Sequence, residues 1–171
     1  MKRNGSVGVL ALGALLLGAC ASTQVPPYGI REGRLPPCAD TRTCLSSHPE
    51  ESEEARLDPL EYEGTRRHGR RALAAVVQGF PGARIVSSHR NYLRVEFAGH
   101  VTRDEEEFYF KSDAVIDEVE FYFPPYEQRV EVRAAARSGL MDHDSVRSRF
   151  DALQELLENY QNERGVGGLR I

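Results

Sequence analysis

The sequence lacks low-complexity stretches and internal repeats, which excludes solenoid and fibrous architectures. It also lacks any apolar run of about 20 residues, the length that a membrane-spanning helix needs. Its 171 residues, 40% hydrophobic and 28% charged, are enough for one globular domain of ordinary size. The composition therefore predicts a single globular domain rather than a repeat array or a disordered chain.

The sequence has no excess of positive charge. The formal net charge is −4, and only Lys2 and Lys111 are lysines, while arginines are interleaved with acidic residues. Nucleic-acid binding depends on clustered lysine and arginine side chains that contact phosphates. The charge therefore argues against a nucleic-acid partner.

A short apolar run at residues 7–17 follows the positive residues Lys2 and Arg3. Such a run, as a helix, spans only about 16 Å of the roughly 30 Å hydrocarbon core, so it is too short to remain in a membrane. This pattern is typical of a secretory signal peptide. We expect residues 1–19 to be removed, which would lower the net charge by two, to −6.

The apolar run ends in Leu17-Gly18-Ala19-Cys20, which resembles the lipobox of bacterial lipoproteins. The resemblance implies cleavage before Cys20 and acylation of its thiol, so that the protein is attached to the membrane by two or three acyl chains. Ala21 in place of Asp implies the outer membrane, with the protein facing the periplasm. The alternative is an ordinary signal peptide that ends beside a chance cysteine.

Residues 20–36 contain paired prolines and several glycines without an apolar period. They predict a flexible tether behind the lipidated cysteine. Fully extended, the chain from Cys20 to Cys38 reaches at most about 60 Å, so the domain could stand away from the lipid. The single folded domain is expected over residues 37–162, followed by a tail at residues 163–171.

Two cysteines, Cys38 and Cys44, remain when Cys20 is acylated. An even pair in an oxidising compartment suggests a disulfide, which would contribute roughly 2 kcal/mol for so short a loop. The alternatives are free thiols or a metal site that includes His48, although the spacing is not that of a zinc finger. We expect the disulfide.

Alternation of apolar and polar residues predicts an antiparallel sheet between two amphipathic helices. The predicted helices are Arg66–Gly79 and residues 145–161. The predicted strands are residues 83–87, 91–98, 106–111, 117–123 and 128–137. The order α-β-β-β-β-α and one apolar stripe per helix predict an α+β, two-layer domain. Its four- to five-stranded sheet would carry both helices on one face and leave a polar outer face.

Three spaced segments carry a family resemblance. They are C-A-D-T-R-T-C-L-S-S at residues 38–47, D-E-V-E-F at residues 117–121, and a run from Arg133 through Arg137, Gly139 and Asp142 to Arg147 and Arg149. These resemble C-P-D-x-x-N-C-V-S-S, D-D-V-E-F and R-S-A-S-R-x-G-x-x-D-x-G-x-N-R-x-R in the DUF1499 family, over about residues 37–157. Departures from the patterns fall at Ala39, Thr43, Ala135, Asp144 and Val146. The family is one of unknown function, so the resemblance implies no activity.

Charged residues cluster on the last two predicted strands and the start of the second helix; they are Glu118, Glu120, Arg133, Arg137, Asp142, Arg147 and Arg149. Glu118 and Glu120 share one strand face. Arg133 and Arg137 lie on the next strand, so the charges meet if the two strands form a hairpin. One interpretation is a lattice of ion pairs. The other is an anion site in which Arg133, Arg137 and Arg147 hold a carboxylate or phosphate.

Three other groupings suggest chemistry. Asp142-His143-Asp144 could bind a metal, but a helix N-cap explains both carboxylates. Glu118 and Glu120 could form a glycosidase pair, but neighbours on one strand do not flank a cleft. Ser46-Ser47-His48 could supply a nucleophile and a base, but no third group orients them. We therefore expect no catalytic residue, no metal and no cofactor.

These observations predict a lipid-anchored envelope protein with a non-catalytic domain that binds an envelope protein, a glycan or a small anionic ligand. The alternative is an envelope hydrolase with an acid/base site near Glu120, Asp142 and His143. A third interpretation is a structural lipoprotein whose charges only stabilise the fold. A deep pocket in which the three side chains converge would favour the hydrolase, and arginines paired with carboxylates would favour the structural role.

Overall fold

The computed structural model describes residues 28–104 and 107–165, which form six strands and two helices. The strands are β1 (Cys44–Ser46), β2 (Leu60–Glu61), β3 (Ala83–His89), β4 (Tyr92–Asp104), β5 (Glu107–Tyr122) and β6 (Arg129–Ala136). The helices are α1 (Arg66–Gly79) and α2 (His143–Gly165).

The strands form one antiparallel sheet in the order β1-β6-β5-β4-β3. Its longest pair is β4 with β5, which runs from Tyr92 opposite Tyr122 to Asp104 opposite Glu107. The short strands β1 and β2 both pair with β6, along the edge that β5 does not use. The domain therefore has the predicted α+β class with an antiparallel sheet.

A bulge at Gly99 interrupts the β4–β5 pairing. The register shifts between Ala98 and His100, and Gly99 has a φ of 99°. A Cβ at this position would lie 2.4 Å from the Lys111 carbonyl oxygen. Only glycine fits this close approach of two backbones.

The elements differ from the prediction in number and length. α1 has the predicted bounds, whereas α2 begins two residues earlier and ends four residues later than predicted. The predicted strands 106–111 and 117–123 are one strand, β5, because β4 extends far enough to pair with all of it apart from the bulge. β1 and β2 were not predicted, because three and two residues are too few to show alternation. The sheet therefore has six strands instead of four or five.

Both helices cover the same face of the sheet and share one hydrophobic core. Alternate residues of the central strands point into it, among them Val95, Phe121 and Val132, none of which is exposed. Leu73 of α1 and Leu153 of α2 meet them from the helix layer. Each such side chain contributes about 1.5–3 kcal/mol through removal from water, so this inner face supplies the main stabilisation of the fold.

The outer face of the sheet is covered by residues 28–36, which we call the N-terminal segment. Leu35 is 1% exposed and packs with Tyr92 and Tyr122. The Leu35 N–H donates to Glu131 Oε2 at 3.1 Å. This part of the predicted tether packs on the sheet, so the centre of the outer face is buried rather than left to solvent as the alternation alone suggested.

The predicted disulfide between Cys38 and Cys44 is confirmed, with the two Cα atoms 5.6 Å apart. Cys44 is the first residue of β1 and pairs with Ala135 of β6. The Cys38 N–H donates to the buried carboxylate of Glu51 at 2.5 Å. The bridge therefore attaches the end of the N-terminal segment to the edge of the sheet.

The predicted signal peptide, Cys20 and the first part of the tether lie outside the described residues. Residues 166–171 of the predicted tail also lie outside the described residues, whereas residues 163–165 belong to α2. Within the described ranges, neither helix is long and apolar enough to cross a membrane. Lipid attachment therefore stays a prediction from the sequence.

Gly69 of α1 lies against the ring of Tyr62, and a Cβ at position 69 would come within 2.2 Å of that ring. We predict that Gly69→Ala lowers the free energy of unfolding by about 1–3 kcal/mol, because the methyl group must displace the ring. Urea unfolding followed by circular dichroism measures the change. Gly79→Ala in the same helix is the control, since a Cβ there meets nothing within 4 Å. If Gly69→Ala is as stable as Gly79→Ala, the close packing is refuted.

Candidate functional site

The charges of the predicted hairpin lie on the outer face of β4, β5 and β6, opposite the helices. The strand register places Glu120 between Arg94 of β4 and Arg133 of β6. Glu118 lies opposite Glu96 in the same way. We call this set the polar face; it comprises Arg94, Glu96, Glu118, Glu120, Arg133 and Arg137.

Glu120 and Arg133 form a buried ion pair at the centre of the polar face. Arg133 Nη1 donates to Glu120 Oε2 at 2.9 Å, and the two side chains are 3% and 1% exposed. The Tyr92 hydroxyl donates to Glu120 Oε1 at 2.7 Å. Burial and the adjacent carboxylate raise the pKa of Tyr92, so its hydroxyl stays a donor. Arg133 Nε is buried with no partner in the described chain.

A second group on the polar face centres on Glu118. Its Oε1 pairs with Arg137 and its Oε2 lies 3.3 Å from Arg94 Nη1. Arg137 also pairs with Glu96, which in turn pairs with Arg84. Hydrogen bonds from Arg137 to Glu118 and Glu96 raise the pKa of Arg137. Burial opposes ionisation of Glu96, but the hydrogen bonds and charges of Arg137 and Arg84 outweigh it and lower the pKa of Glu96.

The N-terminal segment is held on the polar face by Glu120. The Gly29 N–H donates to Glu120 Oε1 at 2.5 Å. The ring of Tyr28 lies over the Arg94 guanidinium, 4.7 Å from its carbon to the ring centroid. Donors from residues 29, 92 and 133 thus converge on one carboxylate, which joins the N-terminal segment to two strands.

Arg149 lies on the other side of the sheet, between the strands and α2. Its Nη1 donates to Asp117 Oδ2 at 2.8 Å and its Nη2 to the Gly99 carbonyl at 2.8 Å. The guanidinium also packs on the Phe97 ring, 5.0 Å from its centroid. Arg149 is 1% exposed, so this contact is a core ion pair rather than part of a surface.

Asp142 forms the N-cap of α2. Its Oδ1 accepts from the Ser145 N–H at 3.0 Å, and its Oδ2 lies 3.3 Å from His100 Nδ1. The adjacent His143 has a buried Nε2 without a partner among the residues described. Throughout residues 28–104 and 107–165, no group of three or more His, Cys, Asp or Glu side chains could hold a metal ion.

Arg147 lies apart from the polar face. Its guanidinium donates to the carbonyl oxygens of Arg56, at 2.5 Å, and Glu54, at 2.6 Å. It therefore fixes the loop before β2 against α2. The three arginines of the proposed anion site do not lie together. Arg147 binds backbone carbonyls, Arg133 is buried, and Arg137 lies between two carboxylates.

The acid/base set of Glu120, Asp142 and His143 does not converge in a described pocket. Glu120 is on the outer face, whereas the other two begin α2, which packs on the inner face. Five concavities of about 400–840 Å³ on the described surface are lined by other residues. Both oxygens of Glu120 are also already engaged by donors.

Sequence reasoning missed Tyr92, Glu96 and Asp117 as members of these contacts. Glu96 lies in β4, but its partners come from β3, which provides Arg84, and from just after β6, which provides Arg137. Asp117 falls in the inward-pointing row with Val119, and an acid in an apolar row signals a buried partner. That signal was present in the sequence.

Comparison with protein families matches residues 34–157 to the model of a family described as protein of unknown function, DUF1499. The match covers well over half of the 171 residues. The chain belongs to the DUF1499 family. Comparisons with curated proteins and with solved structures find no match.

The DUF1499 segments seen in the sequence supply the contacts described above. The D-E-V-E-F segment provides Asp117 to the inner ion pair and Glu118 and Glu120 to the polar face. The third segment provides Arg133 and Arg137 to the same face. The residues that mark the DUF1499 chain thus bind one another within the domain.

We predict that Arg133→Met lowers the free energy of unfolding by about 3–5 kcal/mol, because it leaves the buried Glu120 carboxylate without its cation. Adding Glu120→Gln should restore part of this loss, since it removes the unpaired charge and keeps an acceptor for the Gly29 N–H. Urea unfolding of the two single variants and the double variant measures the coupling.

Arg129→Met on the same strand is the matched control. Arg129 pairs with Glu127, but these side chains are 45% and 42% exposed, so the substitution should change stability by less than about 1 kcal/mol. Equal losses at positions 129 and 133, or a double variant whose losses simply add, would count against a buried pair.

Proposed function

We propose that this DUF1499 chain is a lipid-anchored protein of the cell envelope, with a domain that is a non-catalytic binding or structural module. The hydrogen bond from Gly29 to Glu120 carries the proposal. It fixes the segment that follows Cys20, the expected site of acylation, to the centre of the polar face. The domain and its anchor are therefore mechanically coupled.

The free tether between the anchor and the domain is short. Tyr28 already lies on the sheet, so only the chain from Cys20 to Tyr28 is left to span the distance. Eight residues reach at most about 28 Å when extended. This is less than half of the maximum distance of about 60 Å between Cys20 and Cys38. The domain would thus be held close to the lipid surface rather than far from it.

A non-catalytic role is supported by the way in which the candidate groups are used. Glu120 accepts three hydrogen bonds, Asp142 caps α2, and Arg147 binds backbone carbonyls. The alternative envelope hydrolase would use Glu120 together with Asp142 and His143. For this, Glu120 would have to leave its buried ion pair with Arg133. No contact joins Glu120 to the other two among the described residues, so the hydrolase gains no support.

Export is supported by the Cys38–Cys44 disulfide, because disulfides persist in oxidising compartments such as the periplasm. The residue after the acylated cysteine, Ala21, favours the outer membrane with the domain in the periplasm. A small anionic ligand on the polar face is not favoured, since Arg133 is buried and Arg137 is held by two carboxylates. A protein or glycan of the envelope remains the proposed partner.

Mass spectrometry of the chain isolated from its membrane fraction should find an N-terminal Cys20 that carries acyl groups. Cys20→Ser should abolish the lipid mass, because serine has no thiol for the diacylglycerol. The double variant Cys38→Ser/Cys44→Ser is the matched control, and it should lose the disulfide but keep the acyl groups. Full-length, unacylated chain in the cytosol, or lipid retained after Cys20→Ser, would refute the anchor.

A further inference from the structure

Five arginines that take no part in the polar face lie together at the start of α1. Four come from the first six residues of the helix and one from the turn between β3 and β4; they are Arg66, Arg67, Arg70, Arg71 and Arg90. With Thr65 and His68 they line a concavity of about 840 Å³, and no carboxylate contributes to the lining. We call this the arginine concavity.

The positive charge of the arginine concavity is not neutralised within the described structure. α1 has no acidic residue in its first turn, and the cations lie at the positive end of the helix dipole, which disfavours the helix. Among the five arginines, Arg70 alone makes a side-chain hydrogen bond within residues 28–104 and 107–165, donating to the His89 carbonyl at 2.7 Å and the Ser88 hydroxyl at 2.9 Å. Several arginines elsewhere pair with carboxylates, as Arg133 does, and the whole chain has a net charge of −4. An unfavourable local arrangement of this kind points to a role in binding.

The arginine concavity includes the turn before β4, the strand that contacts the N-terminal segment. Arg90 is in the β3–β4 turn, two residues before Tyr92. Tyr92 donates to Glu120, which also holds the Gly29 N–H. Tyr92 and Glu120 therefore link the first residue of β4 to Gly29 of the N-terminal segment.

We propose that the arginine concavity is the membrane-facing surface of the domain and binds the phosphate groups of anionic phospholipids beside the acyl anchor. This inference rests on the proposed anchoring at Cys20. Guanidinium groups bind phosphate oxygens through paired hydrogen bonds. Electrostatic attraction is screened over about 10 Å at 0.1 M salt, so the short tether would strengthen this binding by holding the concavity close to the lipid.

The test uses the processed chain without acyl groups, residues 21–171, so that the anchor cannot contribute to binding. This chain keeps all of the described residues, including the hydrophobic core and the disulfide. Co-sedimentation is measured with vesicles of phosphatidylglycerol and phosphatidylcholine and with vesicles of phosphatidylcholine alone. The triple variant Arg66→Gln/Arg67→Gln/Arg71→Gln is compared with the triple variant Arg42→Gln/Arg103→Gln/Arg129→Gln, which changes the net charge equally at other sites.

The unsubstituted chain should bind the anionic vesicles, bind the neutral vesicles far less, and dissociate as the salt concentration rises. At about 5-fold in affinity per arginine near an anionic surface, the concavity variant should bind about 100-fold more weakly. The control variant should keep most of the binding. Unfolding midpoints by circular dichroism establish that both variants fold.

Equal binding by the two triple variants, or equal binding to both kinds of vesicle, would overturn the proposal. Binding to heparin without binding to anionic vesicles would also overturn it, because it would assign the concavity to an acidic polymer. The two proposals fail separately. If Cys20 is acylated in the cell but residues 21–171 do not bind anionic vesicles, only the membrane-facing surface is refuted. If residues 21–171 bind anionic vesicles but Cys20 is never acylated in the cell, only the anchor is refuted.

Discussion

The attachment of the N-terminal segment to the sheet depends on one ion pair, Glu120 with Arg133, which is buried beneath that segment. Removing two charges from water is unfavourable unless their remaining hydrogen-bonding groups are satisfied. Tyr92 and the Gly29 N–H satisfy the carboxylate that Arg133 leaves partly free. The segment therefore stabilises the buried pair, and the Glu120 carboxylate in turn helps to hold the segment by accepting the Gly29 N–H.

This constraint explains how the charges of β5 are divided between two faces. Asp117 points toward α2 and meets Arg149, whereas Glu118 and Glu120 point toward the N-terminal segment. Because a shift of one residue in register would exchange these faces, each acid would lose its cation at once. The charged residues of the DUF1499 segments thus specify register and attachment, while the unpaired positive charge lies elsewhere, at the start of α1.

The sequence predicted what local periodicity controls. It placed α1, brought the charges of the last two predicted strands together across a hairpin, and identified Cys38 and Cys44 as a disulfide. It did not predict that the N-terminal segment covers the Glu120–Arg133 pair, because Gly29 is separated from Glu120 by 91 positions and the segment carries no apolar period. For the same reason Arg133, Arg147 and Arg149, close in sequence, were grouped as one surface although their partners lie in three places. The arginines of α1 were overlooked because the charge balance was considered over the whole chain and not along one helix.

Amide hydrogen exchange over residues 28–36 tests most directly whether Glu120 holds the N-terminal segment on the sheet. The account predicts that the amides of Gly29 and Leu35 exchange slowly, and that Glu120→Ala makes Gly29 exchange much faster while the inner strands stay protected. The exposed Glu127→Ala should leave the pattern unchanged. Exchange at Gly29 as fast as in an unfolded peptide, or protection that does not respond to Glu120→Ala, would contradict the account.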